Sequence, residues 1–154
     1  MKKKTPKLML TEVEREALRK NKIRLHEIAD IDVGVLHDLL GGTLERAKEL
    51  KASAEFQMIP SIGPKFSEDL MKIGFFSLDE LKGNDGAELV DRMEQFYGVW
   101  LDPCVEDQCR LVVHYAEQPS STKQWWDFTE ERKQYRAKYG YPSNRPAKSW
   151  NEVE

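Results

Sequence analysis

Apolar residues in this chain recur three and four positions apart and almost never alternate, a period that predicts amphipathic helices and few strands. The first helix follows Thr11-Glu12-Val13-Glu14, a capping box, and carries Val13, Ala17 and Leu18 on one face. A short second helix is predicted from near Leu25 and includes Ile28. A third opens at Asp32, runs through Val35, Leu36, Leu39 and Leu40, and stops at Gly41-Gly42. Thr43 caps a fourth, with Leu44, Ala47, Leu50, Ala54 and Met58 at helical spacing. Further helices are predicted through Phe66, Leu70 and Ile73 up to Gly74, at Ser77–Leu81, and from Asp85 to Tyr97 with Gly98 as stop. In the last of these Leu89, Met93 and Phe96 share a face. Asp102-Pro103 reads as N-cap and first residue of a helix through Val105, Cys109, Val112, Val113 and Ala116. After a polar break at Gln118–Thr122, a second capping box at Asp127–Glu130 opens a helix to Lys138 that Gly140 ends. The pattern predicts an all-α chain.

One stretch stands apart. Ile59-Pro60-Ser61-Ile62-Gly63-Pro64-Lys65-Phe66-Ser67-Glu68-Asp69-Leu70 puts a Pro/Gly turn between two helical segments. Pro64 suits the first turn of a helix, where its missing N–H has no partner to lose. The amides of Gly63, Lys65 and Phe66 then face outward at the positive end of that helix, an arrangement that suits a phosphate. These residues resemble the hairpin of the helix-hairpin-helix family, which runs apolar-Pro-Gly-apolar-Gly-Pro-Lys and binds a nucleic-acid backbone phosphate without reading sequence. Ile62, Gly63, Pro64 and Lys65 match that pattern. Ser61 stands where the first glycine of the family sits, and Ser67 replaces a small apolar residue.

A shift of 31 residues aligns Ile28 with Ile59, Ile31 with Ile62, Asp38-Leu39 with Asp69-Leu70 and Glu49-Leu50 with Glu80-Leu81. Such an internal match fits two stacked helix-turn-helix units. The first copy holds Asp30-Ile31-Asp32 where the second holds Ser61-Ile62-Gly63, and carboxylates there repel a phosphate. Only the second copy is expected to bind one.

At 154 residues the chain suits one domain with tails: a basic disordered arm (1–10), a helical domain (11–118) and an aromatic-rich C-terminal helix and tail packed on it (119–154). The formal net charge of −3 argues against coating DNA by charge alone. The charge is uneven, however. Residues 1–25 hold nine Lys/Arg against three acids, and the remainder holds fifteen against twenty-four. A basic arm of this kind can follow a phosphate backbone, grip an acidic partner or fold onto its own chain. No apolar run approaches a membrane span, and two cysteines suggest a reducing cytoplasm and no disulfide framework.

Catalytic signals are thin. Cys104, Cys109 and His114 fall five residues apart, about 140° per step on a helix, so they cannot share a face as metal ligands. Cys104 alone, in the first turn after Asp102-Pro103, is the candidate reactive thiol. The histidines His26, His37 and His114 sit among apolar neighbours, and no nucleophile elbow, P-loop or dinucleotide fingerprint is present. Neither a metal site nor a cofactor is expected. Trp125-Trp126-Asp127-Phe128, followed by Arg132, Lys133, Arg136 and Lys138, can stack bases as single-strand binders do. The favoured reading is a tail that its tryptophans pin to the body.

The wider set of motifs includes Ser77-Leu78-Asp79-Glu80-Leu81-Lys82-Gly83, Asp102-Pro103-Cys104-Val105-Glu106-Asp107 and Val112-Val113-His114-Tyr115-Ala116. With the turn and the aromatic segment, these resemble the bacterial "pathogenicity locus" helix-hairpin-helix family, sometimes labelled mitomycin-resistance-like. The resemblance runs over about residues 10 to 150. It implies a small cytoplasmic protein with a SAM-like or tandem helix-hairpin-helix core, a further helix and the aromatic tail. The expectation is a non-catalytic module that binds DNA through backbone phosphates, using Ile62, Gly63, Pro64, Lys65 and Phe66, with Lys72 and the arm as auxiliaries. The alternative is a SAM-like module that docks a protein partner or a second copy without nucleic acid.

Overall fold

Thr11 does what its capping box predicts. Its hydroxyl accepts from the Glu14 amide, the Glu14 carboxylate accepts from the Thr11 amide, and α1 (Glu12–Lys20) follows. These details come from a computed structural model that describes residues 4–152. The chain divides into two compact units, Met1–Leu78 and Asp79–Glu154. Every α- or 3-10 segment expected from the periodicity is helical, and among the described residues the sole β feature is an isolated bridge between Trp100 and Ser149.

In the first unit, α1 is followed by a 3-10 turn (Leu25–Asp30), then α2 (Val33–Leu40), α3 (Leu44–Phe56) and α4 (Pro64–Lys72). Gly41 ends α2 in the left-handed conformation (φ 71°), which glycine adopts at no steric cost. Leu18, Ile28, Leu36, Leu40, Ala47 and Leu50 form the core here, with Leu8 and Leu10 packed against it. Val13, expected on the inner face of α1, is exposed, and the charged Glu14 is buried in its stead. The reason is an ion pair: Arg46 on α3 holds both Glu14 oxygens at 2.8 and 2.9 Å.

The N-terminal arm also differs from its expectation. Residues 1–3 of it lie outside the described residues. Lys4 to Leu10, expected to be disordered, form an extended strap with Pro6 buried. The Lys7 amide donates to the Gln57 side chain (2.8 Å), which returns a bond to the Lys7 carbonyl (3.0 Å), and Arg46 donates to the Met9 carbonyl. A backbone whose polar groups are met in this way docks at little cost.

The second unit takes in most of α5 (Leu78–Leu81), then α6 (Gly86–Tyr97), α7 (Pro103–Glu117), a 3-10 turn (Trp125–Phe128), α8 (Thr129–Tyr139) and a final 3-10 turn (Trp150–Glu152). Gly86 lets α6 and α7 touch: a Cβ there would lie 2.8 Å from the Arg110 backbone. The boundary drawn from sequence after residue 118 separates α7 from the segment it packs with. Buried acids on α7 are held by arginines of α8, so the division falls inside α5 instead. Asp127 does not cap α8. Its carboxylate reaches back to the Gln124 amide at 2.8 Å and closes the 3-10 turn. Among the described residues no helix is long and apolar enough to cross a membrane.

Candidate nucleic-acid interface

The turn between α3 and α4 is built on buried apolar residues. Phe56, Ile59, Ile62 and Leu70 are fully buried around it, each contributing about 1.5–3 kcal/mol. The Ile62 amide closes the turn on the Ile59 carbonyl at 3.2 Å. Ser61, in the first-glycine position, takes the left-handed conformation (φ 64°) that glycine takes freely. A serine there costs about 1 kcal/mol. The backbone at Ser61 thus takes a conformation that a glycine in its place would take at no cost. Ser67 fits because its hydroxyl bonds the Gly63 carbonyl at 2.9 Å while the residue is wholly buried.

Gly63 is the N-cap of α4, extended at φ −110° and ψ −171°, with Pro64 next at the first helical position. Among the described residues no side chain caps this N-terminus. The Phe66 side chain is core, so its part in the site is confined to its amide. Lys65 is largely exposed and bonds Oδ1 of the buried Asp69 at 2.8 Å. Lys72 is not brought to the site. It lies in the last turn of α4, about 12 Å along the axis from Pro64.

Lys4 was missed as a site residue. Its ammonium donates to the Ile62 carbonyl at 2.7 Å and the Ile59 carbonyl at 3.2 Å. Burial, then the neighbouring Lys7 charge, push its pKa below the ordinary lysine value. Lys4, Lys7, Gln57, Ser61, Gly63 and Pro64 line a concavity of about 260 Å³ at the turn. The basic run in the arm carried the signal, but only the fold brings it here.

The other turn has the same register. Asp32 is the N-cap of α2 and Val33 its first residue, 31 positions before Gly63 and Pro64. Here the cap is filled. Asp32 Oδ2 accepts from the Gly34 amide at 3.0 Å and the Val35 amide at 3.3 Å. A lysine again seats on turn carbonyls: Lys51 donates to Ala29 (3.1 Å) and Ile31 (2.6 Å), with Glu55 at 3.9 Å.

The remaining candidates lie in the second unit. The surroundings of Cys104 disfavour a thiolate. Burial first, then its hydrogen bond to Asp102 and the charges of Asp102 and Asp107, push its pKa up to about 12. The helix-dipole effect that favours thiolate loses to these. Among the described residues no three His, Cys, Asp or Glu side chains converge as a metal site would need.

The C-terminal segment is pinned, though chiefly by arginines. Arg136 reaches Glu106 at 2.8 Å and Asp91 at 3.0 Å, Arg132 reaches Asp107 at 2.6 Å, and Arg145 holds both Glu94 oxygens. Arg145 also stacks 3.7 Å above the Tyr141 ring. Trp126 is exposed and Phe128 is the buried aromatic. Breaking pairs onto acids this buried costs several kcal/mol, about 3–5 each, so these arginines are not available to phosphates.

The family model of the pathogenicity locus family matches residues 49–134, which takes in the Gly63 turn, α6, α7 and the start of α8. The chain belongs to the pathogenicity locus family. A mitomycin resistance protein, McrB of Streptomyces lavendulae, is 30% identical over 88 residues, 57% of this chain and 83% of the relative. No solved structure matches.

Proposed function

We propose that this member of the pathogenicity locus family is a non-catalytic, sequence-nonspecific nucleic-acid-binding module, and that its contact is a backbone phosphate at the turn from Gly63 to Phe66. The observation that carries the reading is the contrast in capping. The N-terminus of α2 holds its own carboxylate, Asp32, while that of α4 begins at Gly63 and Pro64 with no side-chain cap among the described residues. An anion from outside can do at α4 what Asp32 does at α2. The charge balance supports it as well. Lys4 and Lys7 crowd two positive charges at this turn, and burial disfavours the Lys4 charge. A phosphate relieves both effects.

One turn supplies one or two phosphate contacts, so binding is weak and salt-dependent, without preference among sequences. The test is fluorescence anisotropy of labelled single- and double-stranded DNA at low salt. The parent binds, and Lys65→Glu weakens binding several-fold and lowers the salt slope by about one. Equal binding by Lys65→Glu shows that the turn is not the contact. A parent that ignores DNA but forms a dimer by light scattering supports the SAM-like interaction module instead.

A further inference from the structure

The two lysines seated on the two turns carry an inference of their own. In each turn a pair of carbonyl oxygens converges on one ammonium: Ala29 and Ile31 on Lys51, Ile59 and Ile62 on Lys4. Two carbonyl dipoles aimed at one point repel each other, and a cation between them removes that repulsion. The two ammonium groups arrive differently. Lys51 belongs to α3, inside the helical framework, and has Glu55 3.9 Å away. Lys4 rides on the extended strap, with neutral carbonyls as its described hydrogen-bond partners. The second turn also contains the strained backbone, Ser61 at φ 64°, which persists only if its surroundings hold it.

We propose that Lys4 is the positioning residue of the second turn: its ammonium ties the Ile59 and Ile62 carbonyls together, keeps Ser61 in its left-handed conformation, and so orients the Gly63, Lys65 and Phe66 amides toward a phosphate. This deepens the nucleic-acid reading above and rests on it. The first turn is fixed permanently by a helix residue. The geometry of the second depends on whether the strap is docked, so the Gln57 clasp on Lys7 governs the site from outside it.

The test is amide hydrogen exchange on the full chain, parent against Lys4→Met, read at residues 61–66, where the Ile62 amide bonded to the Ile59 carbonyl is the reporter, and at residues 31–35, where Ile31 bonded to the Ile28 carbonyl is its counterpart. The expected result is a loss of protection at 61–66 of about tenfold with no change at 31–35. Lys51→Met gives the mirror pattern. Gln57→Ala, which loosens the strap and leaves Lys4 intact, gives a smaller loss at 61–66 and guards against a Lys4 variant that fails to fold. In Lys4→Ala, ammonium chloride restores protection where tetramethylammonium chloride at equal ionic strength does not, because the larger ion cannot donate to two carbonyls. A merely structural lysine would show no such rescue.

DNA anisotropy on the same proteins separates the two ideas. If Lys4→Met lowers the salt slope by about one while exchange at 61–66 is unchanged, Lys4 is a phosphate contact and the positioning role is overturned. If the parent binds no DNA, the nucleic-acid reading falls, and the exchange comparison still decides whether Lys4 holds the turn. Unchanged exchange in both Lys4→Met and Gln57→Ala overturns the proposal outright.

Discussion

At the turn before α2, Asp32 folds its carboxylate back onto the amides of Gly34 and Val35; at the equivalent position before α4, Gly63 has no side chain with which to do so. The two turns otherwise share a register, a helix start and a lysine seated on paired carbonyls. The comparison teaches how one backbone shape takes two roles. An internal anion makes the first turn a finished structural corner. The second has no such carboxylate among the described residues, and beside its helix start the strap brings two lysines.

The largest expected effect breaks the docking that distinguishes the second turn. Arg46→Met removes the partner of the buried Glu14 and frees the Met9 carbonyl of the strap. The first unit should lose about 2–3 kcal/mol in urea melts, less than a fully buried pair would because Arg46 is partly exposed. Exchange at the second turn should rise more than at the first. The pH dependence has a definite sign. The Arg46 hydrogen bond, ahead of the opposing effect of burial, holds the Glu14 carboxyl below its ordinary value. Its contribution is therefore fully present above the unfolded glutamate pKa and is lost as pH falls through the lower folded value. The stability gap between parent and Glu14→Gln should close on acidification across that range; a constant gap would show that the pair is not the cause.

Next comes Gly63→Asp, which turns the second turn into a copy of the first. A Cβ at Gly63 meets nothing within 4 Å, and the backbone is extended, so the substitution fits without strain. DNA affinity should fall by about tenfold or more as the new carboxylate takes the phosphate's place. Stability should rise by a few tenths of a kcal/mol from the added cap. Retained binding would mean that the capping difference is not what separates the turns.

The reverse change is gentler. Asp32→Gly should cost a few tenths of a kcal/mol and raise DNA affinity about two-fold, held down by the remaining Asp30. Calorimetric melting and anisotropy on one preparation would read both. The smallest effect belongs to the other unit. Cys104→Ser should leave DNA affinity unchanged, and alkylation of the parent should stay slow at pH 8, as a thiol at about 12 requires. Fast alkylation there would restore a chemical role for Cys104.

Much of the fold was legible. The caps at Thr11, Asp32, Thr43, Asp85 and Asp102 and the stops at Gly41 and Gly98 lie where the sequence puts them, because each depends on one residue and its immediate neighbours. Asp127 misled for a related reason. A carboxylate can cap forward or backward, and the tight Trp125–Phe128 turn offered the nearer amide. Val13 and Phe96 fit the apolar faces of their helices and are exposed all the same, since periodicity marks a face but does not say what covers it. In the candidate site, Gly63, Pro64 and the Phe66 amide were readable from the turn motif. Lys4 was not, because 58 residues separate it from Ile62 and no local pattern encodes that contact. Lys72, expected as an auxiliary, lies about 12 Å along α4 from Pro64, since eight residues of helix separate them.

The sequence by itself determined the helices, their ends and the 31-residue match between the turns, all of which rest on local backbone preference and short-range hydrogen bonds. Only the tertiary structure decided that the basic arm becomes a docked strap, that Lys4 and Lys51 each seat on a pair of turn carbonyls, and that the C-terminal arginines are paired with buried acids. Those outcomes depend on which distant charge finds which partner once water is excluded. Desolvation sets that energy, and no window of neighbouring residues contains it.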